Sequence, residues 1–109
     1  MKSRSQSSAN FVAAFSELAS RLAVMEICTH TVDIQWGHFG NWALIATKRD
    51  EAVRFRYDGR DSFVTVETSP IRDNSSPNEW EQVMIKGMDN MNNESMVFAE
   101  EFLRKRFAI

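Results

Sequence analysis

A single cysteine, Cys28, leaves this chain without an internal disulfide, so nothing in it calls for an oxidising compartment. Long apolar runs are missing as well. Met1 to Asn10 is polar, and the apolar stretch that follows is broken by Ser16, Glu17 and Arg21, which excludes a membrane span or secretory core there. Neither sign of charge dominates: 13 basic residues stand against 15 acidic ones, a net charge of −2, without the basic excess of a nucleic-acid or anionic-membrane binder. The expectation is a cytoplasmic protein that engages neither. With 43% hydrophobic and 26% charged residues in 109, the chain is also neither wholly disordered nor fibrous, and it is long enough for one core.

What is present reads as a helix, a run of strands and more helix. A serine-rich tail, residues 1–9, is expected to be disordered, with a single α+β domain over 10–109. Phe11, Phe15, Leu18, Leu22 and Met25 recur at three- and four-residue spacing and predict a helix from Asn10 to Ile27. The period then switches to two. His30, Val32, Ile34 and Trp36 alternate with polar residues, and Trp42, Leu44 and Ala46 resume the pattern after a turn containing Gly37 and Gly40. Val53, Phe55 and Tyr57 alternate with Arg54 and Arg56, and Phe63 to Thr68 is β-branched and aromatic. Between these last two segments, Asp58-Gly59-Arg60-Asp61 predicts a tight type I′ hairpin turn.

Ser76-Pro77-Asn78-Glu79 carries the pattern of a helix start, with Ser76 as cap, Pro77 in the first turn and Glu79 reaching back. A short helix with Trp80, Val83 and Met84 on its apolar side and Gly87 at its end is therefore expected. A last helix runs from Glu94 to Phe107, burying Met96, Phe98, Ala99, Phe102, Leu103 and Phe107. The predicted architecture is α+β: a four-stranded antiparallel meander covered on one face by the N- and C-terminal helices, with the short extra helix before the last. The other face, carrying Asp33, Gln35, Arg54 and Arg56, is left to solvent or a partner.

Chemistry is sparse. Cys28, His30 and His38 lack the paired spacing of a four-ligand zinc site, and Cys28 at a helix-to-strand junction is expected to be a small buried thiol. Gly37 and Gly40 flank a hairpin and do not open a helix, so they form no phosphate loop. The reading is of a protein that is no enzyme and carries no catalytic, metal or cofactor site. An enzyme would need His30 or His38 beside a carboxylate in a pocket.

Two features suit binding. Trp36 to Trp42 crowds aromatics at a hairpin tip, with His38 and Phe39 outermost. Asp73, Glu79 and Glu81, joined by the turn carboxylates Asp58 and Asp61, form an acidic stretch that would steer a basic partner. These seven residues are the expected partner-binding set.

The order helix, meander, helix, with Trp42-Ala43-Leu44-Ile45, then Val53-Arg54-Phe55-Arg56-Tyr57-Asp58-Gly59-Arg60-Asp61 and Val64-Thr65-Val66-Glu67-Thr68-Ser69, resembles small bacterial immunity proteins of contact-dependent growth inhibition and related polymorphic toxin systems. In those chains an arginine-bearing strand ends in an aromatic-Asp-Gly turn. The resemblance implies a cytoplasmic, non-enzymatic inhibitor that binds a cognate toxin domain, often a nuclease, and occludes its active site or substrate surface as a monomer or weak dimer. The alternative is a secretion-type chaperone or adaptor holding an extended client.

Overall fold

The computed structural model describes residues 4–35, 41–72, 76–88 and 93–107, with the side chains of 4–12, 31–35 and 93–96 outside that description. His38, Phe39 and Asp73 therefore lie outside the described residues, as do Trp36 and the side chains of Phe11, Asp33, Gln35 and Met96. The element order is α1 (Arg4–Val24), β1 (Cys28–Gln35), β2 (Asn41–Lys48), β3 (Glu51–Asp58), β4 (Phe63–Pro70), β5 (Glu81–Gly87) and α2 (Asn93–Arg106). All five strands form one antiparallel sheet in sequence order. Neither helix is long and apolar enough to cross a membrane.

Two expectations are corrected at the start of the chain. The helix begins at Arg4, ahead of the expected Asn10. It stops at Val24, short of Ile27, through a local device: the Ile27 amide donates to the Leu22 carbonyl at 2.9 Å and the Glu26 amide to Ala23 at 3.0 Å, while Glu26 takes a φ of 62°. This is a Schellman cap with glutamate where glycine is usual. Ile27 and Leu22, its hydrophobic pair, are both buried.

The larger correction concerns residues 76–87. No helix forms there: Ser76 to Trp80 is irregular, and Glu81–Gly87 is a fifth strand. The Glu79 amide donates to Ser69 Oγ at 3.1 Å, and its carboxylate accepts from Arg72 Nε at 2.6 Å, so the residue read as a capping acid is held by β4 and the loop after it. An uncompleted β4 would leave its outer amides and carbonyls unpaired, and β5 satisfies them.

The core lies between one sheet face and the helices. Phe15, Leu18 and Leu22 of α1, Ala99 and Leu103 of α2 and Phe107 just after it pack with Trp42, Leu44, Ala46, Val53, Phe55, Tyr57, Val64 and Val66. Trp42 stacks on Tyr57 with centroids 5.9 Å apart, and Phe15 meets Trp42 edge-on at 5.2 Å. Ion pairs at the rim join helix to helix and helix to sheet. Arg21 Nε of α1 donates to Glu100 of α2 at 2.8 Å, and Arg106 forks onto both oxygens of Glu51 at 2.8 and 2.9 Å.

The β3–β4 connection is wider than predicted. Strand pairing ends at Asp58 with Phe63, leaving Gly59 to Ser62 as the loop. Ser62 has a φ of 55°, while neither Asp58 nor Arg60 is in the left-handed region that a type I′ turn would require. The loop is held by Asp58 Oδ1, which accepts from the amides of Arg60 and Asp61 at 3.0 Å each, and by Asn41 Oδ1, which accepts from the Gly59 amide at 2.8 Å.

Candidate functional interface on the open sheet face

Strand alternation sends every second residue away from the helices. The pairing register arranges these residues in rows across the sheet: Ala43, Arg56, Thr65 and Ile85 form one, and Ile45, Arg54, Glu67 and Gln82 the next. Neither helix packs on this outer face. Arg54 and Arg56 lie on this face, as their alternation with Val53, Phe55 and Tyr57 predicts.

One carboxylate organises the face. Glu67 Oε1 accepts from Arg54 Nε at 2.9 Å and from Arg56 Nε at 2.8 Å. Glu67 is only 10% exposed at its side chain, against 55% for Arg56. Burial pushes the Glu67 carboxyl up, but the hydrogen bond from Arg54, the charge of Arg54 and the charge and hydrogen bond of Arg56 together outweigh it and hold the group below its ordinary range. The triad therefore carries a net positive charge. Trp80 lies across Arg54, with the guanidinium carbon 4.2 Å from a ring centroid, so the 76–80 segment covers one end of the face and fixes that arginine in place.

At the other end the face opens into a cleft of about 440 Å³, lined by Asn41, Ala43, Arg56, Asp58, Phe63 and Thr65, with Trp42 and Tyr57 contributing from their strands. Arg56 thus stands between triad and cleft. It presents donors suited to a carboxylate or a carbonyl, beside apolar surface from Ala43, Ile45 and Ile85.

Of the acidic set expected from sequence, the described Glu79 and Glu81 are not brought together with Asp58 and Asp61. Asp58 and Asp61 sit at the β3–β4 loop, whereas Glu81 pairs with Thr68, five residues along β4 from Phe63, or roughly 17 Å at strand spacing. Glu79 is engaged by Arg72, and Asp58 Oδ1 by two loop amides. Asp61 and Glu81 are exposed.

Cys28 is exposed, not buried as expected, because the α1 cap ends before it and the thiol opens β1 on the edge strand. His30 occupies a bulge in β1 and its Nε2 lies 2.6 Å from Thr47 Oγ1, so it too is exposed. Among the described residues, no three His, Cys, Asp or Glu side chains gather around a common point that could hold an ion.

Glu67, Trp80 and Ile85 belong to this candidate interface without being singled out by the sequence pattern. A tight two-residue turn at Gly59-Arg60 would pair Arg54 with Thr65; only the wider loop brings Glu67 opposite Arg54. Comparison with protein-family models, with curated proteins and with solved structures finds no match to this chain.

Proposed function

We propose that this protein is a non-enzymatic inhibitor that binds a cognate bacterial toxin domain through the outer face of its sheet. The observation that carries the reading is the sheet face turned away from the helices, on which Glu67 holds Arg54 and Arg56 in fixed positions beside Ala43 and Ile45. Arginine set in place before contact loses less side-chain freedom on binding, and arginine flanked by apolar surface is a common centre of interface energy. The resemblance to immunity proteins rests on the same strand, since Arg54 and Arg56 belong to the segment that ends in Tyr57-Asp58-Gly59.

Within this reading Arg56 meets an acceptor on the toxin, Ile45 and Ala43 bury apolar surface, and Asp61 at the loop contributes to steering. Of the acidic residues expected to bind, Asp58 serves the scaffold first. The test starts from the adjacent upstream reading frame: where it encodes a large secreted protein with a toxic C-terminal region, binding to that region is measured by calorimetry and by rescue of cells expressing it. Arg56→Ala and Ile45→Asp should each weaken binding at least tenfold while the fold persists. No binding by the unaltered protein would end the inhibitor reading. Binding that both variants retain would move the interface elsewhere.

A further inference from the structure

β5 is an edge strand, and all seven of its residues are exposed. Val83, Met84 and Ile85 are 44%, 40% and 54% exposed, three of the five large hydrophobics exposed among the described residues. Edge strands are ordinarily protected by proline, by inward charges or by covering segments, because their free amides and carbonyls are a template for another strand. β5 has charges only toward its ends, Glu81 and Lys86.

The strand is complementary to itself. Against β4, Met84 pairs with Val66 and Gln82 with Glu67, so Val83 is an extra residue in a bulge. Met84, Lys86 and Glu81 consequently share the helix-covered face with Val66, Val64 and Thr68, while Ile85 shares the outer face with Thr65 and Val83 sits in the bulge beside Gln82. A two-fold axis normal to the sheet and passing through Met84 preserves these faces. It sets Met84 against Met84 of a second copy, Ile85 against the bulge at Val83, and Glu81 against Lys86 at both ends. A one-residue slip would put like faces out of step and break both charge pairs.

We propose that two copies of this chain pair antiparallel through β5 into a continuous ten-stranded sheet, registered by two Glu81 to Lys86 contacts. A pairing of seven residues a side falls below the standard interface of about 1,600 Å², so association should be weak, with a dissociation constant on the order of 100 µM.

Sedimentation velocity on the full chain from about 10 µM to about 1 mM, spanning that value, is the test. The unaltered protein should pass from monomer to dimer mass over the range. Glu81→Lys and Lys86→Glu place like charges opposite one another in a homodimer, so each alone should stay monomeric. An equimolar mixture of the two restores both pairs and should dimerise, as should the double variant E81K/K86E. That recovery separates a lost contact from a lost fold, which matters because the Lys86 ammonium also lies 5.2 Å from the Phe98 ring centroid. A protein monomeric throughout, a dimer indifferent to the single reversals, or a mixture that does not recover would each overturn the proposal. None of these measurements involves a toxin, so the outcome is independent of the inhibitor reading.

Discussion

Arg54 and Glu67 face each other across β3 and β4, joined at 2.9 Å, and the same carboxylate oxygen also receives Arg56 at 2.8 Å. With Trp80 against the Arg54 guanidinium, the group is enclosed on one side and open at Arg56. A carboxylate this little exposed depends on its two cations, and they in turn owe their positions to it.

Glu67→Gln should cost about 2 kcal/mol at neutral pH, the scale of hydrogen bonds to a charged group. The pH dependence follows from the lowered carboxyl. Its stabilisation is fully present above the ordinary value of 4.5 and is lost as pH falls from there through the lower value of the folded state. Urea unfolding should therefore show the gap between the protein and its Gln variant narrowing in acid. A gap of the same size at both ends would mean the charge is not what the arginines stabilise.

Glu26→Gly should raise stability. Glutamate at a φ of 62° bears a left-handed strain of about 1 kcal/mol that glycine does not, offset in part by the greater freedom of glycine in the unfolded chain. Thermal unfolding should move upward by a few degrees, and a fall would show that the Glu26 side chain contributes more than its backbone costs.

Asp58→Ala should destabilise by about 1 kcal/mol, because two loop amides lose their acceptor, while Asp58→Asn keeps an oxygen in place and should cost less. Equal losses in chemical denaturation would assign the role of Asp58 to its charge.

Phe55→Ala should cost about 3–5 kcal/mol. The ring is fully buried and meets Phe102 and Phe98 edge-on at 5.7 and 6.3 Å, tying β3 to α2. A change below about 1 kcal/mol in the urea midpoint analysis would place the centre of the core elsewhere.

Much of the fold is legible wherever a periodic pattern coincides with a buried face. Phe15, Leu18 and Leu22 declare a helical stripe, Val53, Phe55 and Tyr57 a strand, and Ala99 and Leu103 a second helix, and all are buried as their spacing implies. Arg54 and Arg56 follow from the same alternation. Glu67 as their partner does not, because cross-strand neighbours depend on loop width, and the loop at Asp58 is set by its own hydrogen bonds and by Asn41 from another strand. The exposure of Cys28 is not legible for a related reason: it depends on an edge position that no local pattern announces.

Local spacing alone settled that helices would pack on one side of an antiparallel meander, since amphipathic periods of 3.6 and 2 admit few other burials. The fate of residues 76–87 was decided by the assembled sheet. Ser76, Pro77 and Glu79 carry a capping signal worth about 1 kcal/mol, and Trp80, Val83 and Met84 stand at helical spacing. The free edge of β4 offered a whole ladder of backbone partners, Ser69 took the Glu79 amide, and Arg54 took the Trp80 ring. Many long-range contacts outweighed one local preference, and the outcome was a strand.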